Sequence, residues 1–340
     1  MNYKFKKVLV TGGAGCIGIA VCNELKKRNI NAVLFDVYEQ VKNIEKKLGK
    51  GITPYYGSIL DISSLREAIK GCDSIIHLAG YLGVRRTELN KLRCLEINIE
   101  GTKNVLQVAA THGIKKIIFA SSSEVYGEPL KNPIKETDIT QGKTVYAISK
   151  LAGEELIKAY GSEYKNLKYS ILRYFNTYGP NQVAQFVIPK FIRNVLENRS
   201  PTIYGDGRQL RSYNFSSDSA RATVDTLLSK KTNNMTLNIG NSSEMISLKD
   251  LAELIIEICG KKGKVKVITK NSFKNTDRTK DREIYERYCS TELAKKLIGY
   301  KPRISLKKGI KLVIDSGILM PNWATSDRDY TLDDFVNLKK

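Results

Sequence analysis

The sequence predicts a doubly wound parallel α/β sheet with a smaller α/β lobe interleaved behind it. Three observations lead there. β-rich apolar runs alternate with helix-like stretches through the first half, and a glycine triplet at 12, 15 and 18 follows the first of those runs. A chain of 340 residues is also long enough to bury a substantial core.

Lys7-Val8-Leu9-Val10 reads as a buried strand, followed by a helix from Ile17 to about Asn29. Ala32 to Asp36 is the second strand and Ile52 to Tyr56 the third, with a helical stretch after Asp61 that ends near Gly71-Cys72. Ser74 to Leu78 is a fourth strand, and a long helix is expected from about Lys91 to His112. Ile117 to Ala120 is the fifth strand, a helix runs from about Val145 to Tyr160, and Tyr169 to Arg173 supplies the sixth strand. Near-continuous apolar strands separated by helices imply a parallel sheet covered on both faces. Right-handed crossovers then give the Rossmann architecture.

After Asn176 the pattern loosens. Pro180, Pro189, Pro201 and Gly205-Asp206-Gly207 mark turns. Helices are expected over Gln185–Asn198 and Ser217–Leu228, with a returning strand at Thr236 to Ile239. Ser247-Leu248-Lys249-Asp250 resembles a capping box before Leu251, Leu254, Ile255 and Ile258. Lys264 to Thr269 reads as a short strand and Asn271 to Asp281 as a polar loop. The expected division is a dinucleotide-binding domain over residues 1–176, rejoined by about 213–240, and a substrate-binding lobe from 177–212 and 241–340.

Hydrophobic residues make up 41% and charged residues 27% of the chain, as in ordinary folded proteins. No apolar run approaches the roughly 20 residues that span a bilayer, and the start of the chain lacks a secretory pattern, so a cytoplasmic protein without membrane insertion is expected. The six cysteines are scattered without a CxxC pair and read as reduced thiols; with only two histidines, a histidine-built metal site is not expected. One of the two, His77, sits in an apolar run and reads as structural. The formal charge of +21 is large. Its lysines are spread over many helix surfaces without aromatic interleaving, so the expected partner is an anionic small molecule and not a nucleic acid.

Two motifs carry the chemistry. In Thr11-Gly12-Gly13-Ala14-Gly15-Cys16-Ile17-Gly18, Gly12 permits a tight turn, Gly15 permits close backbone approach and Gly18 lets the helix pack on the strand. A pyrophosphate then sits at the helix N-terminus, where free N–H groups and the dipole favour negative charge. Asp36 ends the second strand, where a carboxylate accepts ribose hydroxyls and repels a 2′-phosphate, favouring NAD over NADP; capping is the alternative. Asp61-Ile62 would meet the adenine, with capping of the next helix as the competing role. The second motif, Tyr146-Ala147-Ile148-Ser149-Lys150, places a phenol and an ammonium one helical turn apart. A free phenol titrates near ~10, and an adjacent ammonium is expected to pull it toward neutrality. Ser122, at the end of the fifth strand, is the hydroxyl expected to share the substrate alcohol.

Together these residues resemble the extended short-chain dehydrogenases/reductases, and within them the nucleotide-sugar epimerases, dehydratases and decarboxylases. The resemblance covers nearly the whole chain. It also rests on His77-Leu78-Ala79-Gly80, Asn98-Ile99-Glu100-Gly101-Thr102, Ser121 to Gly127, Arg173 to Pro180 and Ile203 to Gly207. It implies NAD held by Gly12, Gly15, Cys16, Ile17, Gly18, Asp36, Asp61, Ile62, Leu78, Ala79, Gly80, Asn98, Ser121, Tyr146 and Lys150. Tyr146 would take the sugar 4-hydroxyl proton, Lys150 would lower the phenol's pKa and hold the nicotinamide ribose, and Ser122 would orient the hydroxyl. Asn176 and Arg211 would grip a diphosphate, with a surface ion pair as the alternative for Arg211, and Tyr204 would stack on or border the nucleobase; Arg278 and Arg282 could reach the distal phosphate, but solvated loop charges are the favoured reading for them.

The fate of the 4-keto sugar separates the members. Dehydratases usually carry Thr-Asp-Glu where this chain has Ser122-Ser123-Glu124. All three remain catalytic candidates, but Ser123 lacks the expected acid, which counts against dehydration. Glu124 would suit proton abstraction or decarboxylation, or would be a hydrogen-bonded strand-end carboxylate. Uronate decarboxylases usually place Asp-Glu-Gly between the Tyr and Lys, where this chain has Ala147-Ile148-Ser149. The favoured reading is a 4-epimerase serving polysaccharide biosynthesis; 4-oxidation with release, decarboxylation and 4,6-dehydration are the alternatives. A non-catalytic NAD-sensing regulator is the reading from another class. The resemblance also implies a homodimer through the apolar positions of Asn98–Val108 and Tyr146–Ile157, which core packing would equally produce.

Overall fold

The computed structural model describes residues 2–183, 186–270 and 284–317, without the side chains of Val84 and Arg85. Its alternating part runs β1 (Lys7–Thr11), α1 (Cys16–Lys27), β2 (Asn31–Asp36), α2 (Tyr38–Lys42), β3 (Ile52–Tyr56), α3 (Ile62–Ala68), β4 (Ser74–His77), α4 (Val84–Leu89) and α5 (Lys91–Leu95). A π turn (Glu96–Glu100) leads into α6 (Gly101–Thr111), followed by β5 (Lys116–Ser122), α7 (Val145–Glu163) and β6 (Lys168–Tyr174). Then come β7 (Thr177–Tyr178), α8 (Val187–Leu196), β8 (Thr202–Tyr204), β9 (Leu210–Ser212), β10 (Asn214–Phe215), α9 (Ser216–Leu228) and β11 (Met235–Ile239). The last elements are β12 (Met245–Ser247), α10 (Leu248–Ile258), β13 (Ile268–Lys270), β14 (Glu286–Arg287), α11 (Glu292–Ile298) and α12 (Leu306–Asp315).

Seven strands form one sheet in the order β11-β6-β5-β4-β1-β2-β3, and every neighbouring pair is parallel. The order reverses direction at β1, so the carboxyl ends of β1 and β4 flank the crevice where α/β sheets hold ligands. One face of the sheet packs Val8, Val10 and Leu34 with Val21 and Leu25 of α1 and Val224 and Leu227 of α9. The other face packs Leu9, Ile75 and Phe119 with Leu65 of α3, Val105 and Leu106 of α6 and Ile157 of α7. These positions of α6 and α7 are the ones expected at a dimer seam; the chain buries them in its own core. Ile148 stays half exposed at 50%.

A third core gathers Ile188, Phe191 and Val195 of α8, Leu251 and Ile255 of α10, and Ile310 and Val313 of α12. The apolar face of α8 recurs at helical spacing, which is why this helix forms where the sequence loosens. Ser247 caps α10 by accepting the Asp250 N–H at 3.0 Å, as its capping box requires. The long helix expected over 91–112 is interrupted by the π turn. The short strand expected at 264–269 forms instead at Ile268–Lys270, where β8 supplies its partner. The expected loop at 271–281 lies outside the described residues.

Candidate active site

The glycine loop follows from the chain's need to leave β1 and enter α1 within four residues. Gly12 turns at φ 69°, where a side chain would be strained, and a methyl group there would meet the Ala79 backbone nitrogen at 2.6 Å. A methyl group on Gly18 would meet the Gly12 carbonyl oxygen at 2.2 Å, so α1 packs directly on the loop. Gly15 differs: only the Gly12 oxygen, at 3.3 Å, lies near the position its Cβ would take. Gly15 is also the N-cap of α1, with no side chain capping the helix and no acidic residue in the first turn. Room beside Gly15 and an uncapped, unneutralised helix start fit a pyrophosphate on Cys16, Ile17 and Gly18.

Asp36 stands at the end of β2 beside this loop. Its carboxylate accepts the Ala14 N–H at 3.1 Å and the Val37 N–H at 2.9 Å. Burial outweighs those bonds and pushes its pKa up to about 6. Asp61 caps α3, accepting the Ser63 N–H at 3.0 Å and hydroxyls from Ser63 and Ser64 at 2.5 and 2.7 Å. Those donors hold its pKa down at about 2. The capping role weighed for Asp61 in the sequence is thus the one its geometry displays, and Ile62 is the first residue of the helix it caps.

Leu78, Ala79 and Gly80 continue β4 past the glycine loop. His77 lies beneath them, its Nδ1 2.6 Å from the Thr11 hydroxyl and its Nε2 3.1 Å from that of Thr102. Burial first, then the charge of Lys150, depress its pKa to about 3. A neutral, doubly hydrogen-bonded imidazole is a structural residue. Asn98 sits in the π turn, donating to Tyr81 O at 3.0 Å and Ser149 Oγ at 2.9 Å and accepting the Tyr81 N–H at 2.7 Å. It therefore ties the segment following Gly80 to the helix that carries the Tyr/Lys pair. The local widening of the helix places that amide between them.

Thr144 caps α7 by accepting the Ala147 N–H at 3.1 Å, which starts the helix one residue before Tyr146. One turn on, the Lys150 side chain is 5% exposed, its Nζ 5.8 Å from the centre of the Tyr146 ring and 5.3 Å from that of Phe119. A methyl group at Gly80 would stand 3.2 Å from the same Nζ. Burial lowers the Lys150 pKa to about 8. Ser122 hydrogen-bonds the Tyr146 phenol. The phenol is nonetheless shifted upward, by burial first and then by the Glu124 carboxylate, with Ser122 opposing. The protein's own atoms thus move Tyr146 opposite to the sequence expectation, because desolvation disfavours phenolate more than a half-buried hydrogen bond restores it.

Ser123 is buried in the 3₁₀ turn Ser123–Tyr126, and Glu124 beside it accepts the Thr144 hydroxyl at 3.3 Å. Ser121, expected at the cofactor, donates its hydroxyl to Glu154 at 2.5 Å within the core. Glu154 also receives Arg173 through Nε at 2.9 Å and Nη2 at 2.7 Å, and Arg173 Nη1 donates to the Tyr126 hydroxyl at 2.9 Å. The sequence showed none of this network, since an acid on a helix and a base in a strand carry no sign of burial.

The substrate-side candidates already hold partners. Asn176 turns at φ 33° after β6 and donates to Ser212 O at 3.0 Å. Arg211 donates to the backbone carbonyls of Leu210, Ile284 and Tyr285 at 2.8, 2.5 and 3.2 Å, so it braces the chain leading into β14. Tyr204 ends β8, partly exposed. Arg278 and Arg282 lie outside the described residues. Arg287, which sequence reasoning missed, sits in β14; among the described residues its buried Nε has no hydrogen-bond partner. All six cysteines are unpaired. Among the described residues no cluster of ligands suits a metal ion, and no helix is long and apolar enough to cross a membrane.

A family model described as NAD dependent epimerase/dehydratase family matches residues 8–240. A UDP-N-acetyl-alpha-D-glucosaminuronate decarboxylase of Bacillus cytotoxicus is 34% identical, over 91% of this chain and 97% of its own. A putative UDP-glucose 4-epimerase of Methanocaldococcus jannaschii is also 34% identical, over 91% and 97%. Among solved structures, the UDP-glucuronic acid 4-epimerase of Bacillus cereus, in complex with UDP-glucuronic acid and NAD, superposes with a TM-score of 0.81. It is 28% identical and the match covers 91% of this chain and 98% of that one.

Proposed function

The chain belongs to the NAD-dependent epimerase/dehydratase family, and we propose that it is a nucleotide-sugar 4-epimerase. It is an enzyme, and its cofactor is NAD. The observation that carries the reading is the Tyr146 phenol, hydrogen-bonded to Ser122 and one turn from the buried ammonium of Lys150. Relatives that epimerise, decarboxylate or dehydrate nucleotide sugars frame the choice.

The glycine loop and the start of α1 hold the pyrophosphate, and Asp36 meets the adenosine ribose. NAD held there by these residues would supply a hydride acceptor for the sugar's carbon 4. Tyr146 takes the proton of the 4-hydroxyl, Ser122 holds that hydroxyl in line, and Lys150 stabilises the phenolate as it forms. Rotation of the keto sugar within the lobe built on the third core presents its other face, and Tyr146 gives the proton back. Epimerisation needs nothing more. Dehydration needs a second acid, and Ser123 is not one; Glu124 is already engaged by Thr144.

The deciding test incubates the purified protein, without added NAD, with a panel of UDP-, dTDP-, GDP- and CDP-sugars, and identifies products by mass and NMR. A product of unchanged mass with inverted carbon 4 is expected. Loss of 18, 44 or 2 mass units, roughly, would instead reveal dehydration, decarboxylation or release of the ketone.

A pH effect follows from Lys150. Its ammonium persists below about 8 and is lost above it, removing the partner of the developing phenolate. The value of kcat/KM is therefore expected to fall as pH rises through this range. A pH profile flat to well above it would remove Lys150 from the proton-transfer step.

A further inference from the structure

The formal charge of +21 is not spread evenly over this fold. The strands of the seven-stranded sheet all start at one edge, opposite the edge that carries the glycine loop and Tyr146. The segments that lead into them are 2–7, 26–31, 46–51, 67–73, 111–116, 163–168 and 229–234. They hold sixteen Lys or Arg against three Asp or Glu, more than half of the net charge. All of these basic side chains but Lys116 reach the surface. The segments leaving β1, β3 and β4 on the site edge, 12–15, 57–61 and 78–83, hold no Lys or Arg. Attraction of a sugar nucleotide to its pocket therefore does not explain where the charge sits.

Backbone hydrogen bonds hold this basal edge as one rigid row. Asn31 donates its N–H to Lys6 O at 2.9 Å, Asp73 to Lys7 O at 2.8 Å, Lys115 to Asp73 O at 3.1 Å and Lys168 to Lys115 O at 3.0 Å. With strands ~4.8 Å apart, the row is about 30 Å wide. α1 and α9 end on one side of it, bringing Lys26, Lys27, Lys230 and Lys231. α3 and α7 end on the other, bringing Lys70 and Lys165. Lys116 turns inward and pins the 229–234 segment, its ammonium donating to Thr226 O at 2.8 Å and Ser229 O at 2.7 Å. Helix dipoles account for Lys26, Lys27 and Lys70, but not for Lys4, Lys6 or Lys50, which precede strands. Glu67 is taken by Lys70 and Asp73 by Lys115. Among the described residues Lys6, Lys50, Lys165 and Lys231 make no ion pair. Unpaired like charges crowded on one face repel one another, and an anionic partner relieves that repulsion.

The shape of the patch selects the partner. A polynucleotide strand is tracked by a basic groove with aromatic side chains on which bases stack. These segments expose one large apolar side chain among the described residues, Tyr164 at 44%, and their charges spread in two dimensions. A broad lysine-lined plane matches a sheet of anionic lipid headgroups. We propose that the basal edge docks the protein on an anionic membrane surface, by charge and without insertion. The site edge then faces away from the bilayer and stays open to its substrate.

The test sediments the NAD-loaded protein with vesicles of phosphatidylcholine alone or mixed equally with phosphatidylglycerol. Binding to the mixed vesicles only is expected, with release as salt rises from about 0.1 to about 1 M. Each lysine close to such a surface adds about fivefold in affinity. Lys6→Gln/Lys50→Gln/Lys165→Gln/Lys231→Gln should therefore bind at least about a hundredfold more weakly. Removing as much charge from α8, α10 and α12, with Lys190→Gln/Lys249→Gln/Lys308→Gln/Lys311→Gln, should change binding less than about fivefold. Thermal melts and bound NAD show that both variants fold. No binding to the mixed vesicles, or equal losses in the two variants, would overturn the proposal. Binding that persists at high salt would do the same, since it marks insertion. An RNA or a DNA duplex bound more tightly than the vesicles through the same four lysines would hand the edge to nucleic acid instead.

Discussion

Replacing Tyr146 by phenylalanine is expected to lower kcat by about a hundredfold to ten-thousandfold while NAD stays bound. The substitution removes one oxygen and leaves the ring against which Lys150 stands, at 5.8 Å from its centre. Ser122 keeps its place, because its hydroxyl also accepts the Glu124 N–H at 3.2 Å. What disappears is the atom proposed to accept the substrate proton. Burial and Glu124 hold the phenol upward, so the wild-type protein keeps Tyr146 protonated until positive charge accumulates around it. On the proposed reading Lys150 would contribute one such charge and the oxidised nicotinamide a second, so that base strength would arrive with the cofactor. In the variant, mixing protein and sugar nucleotide should produce no transient absorbance at 340 nm, roughly where reduced nicotinamide absorbs, although bound NAD is still recovered on denaturation. A variant that retains full turnover would remove Tyr146 from the chemistry, and loss of NAD would reassign it to binding.

The strands of the main sheet, the glycine loop and the Tyr/Lys pair were legible in the sequence because each is local. Val8-Leu9-Val10 must be buried on both faces, and Gly12 answers a backbone angle and a close approach to Ala79. Reading fails where the decisive neighbour is distant in the chain. Arg287 sits in a two-residue strand that exists because Asn132 and Arg211 hold it, and no periodicity announces such a strand. The direction of the Tyr146 shift depends on burial beneath several elements, which spacing to Lys150 alone does not disclose. Asp61 was ambiguous for another reason. A carboxylate before Ser63 and Ser64 satisfies a helix start and an adenine edge equally well on paper, and only the coordinates show the serines claiming it.

Glu154→Ala is expected to destabilise the protein by about 3–5 kcal/mol, the cost of leaving a buried partner charge uncompensated. Glu154 is 1% exposed on α7, one turn beyond Lys150, and Arg173 on β6 is 6% exposed. Their forked pair, with the Ser121 hydroxyl as third donor, joins α7 to β5 and β6. The guanidinium extends the network to Tyr126, whose hydroxyl donates to Asn238 on β11 at 2.7 Å. Four elements around Ser122 and Tyr146 are therefore cross-linked by one buried charge pair. Truncating the acid leaves Arg173, only 6% exposed, without its carboxylate partner, whereas removing both charges leaves only space to refill. Urea unfolding should accordingly show Arg173→Met/Glu154→Met less destabilised than Glu154→Ala, a sign of coupling that additive surface residues never give. Since Ser121 precedes Ser122 and Glu154 shares a helix with Tyr146, the folded fraction of the single variant should also turn over sugar more slowly. Unfolding within about 1 kcal/mol of wild type, the value of an exposed pair, would show that water reaches Arg173 and that the site does not depend on this buried brace.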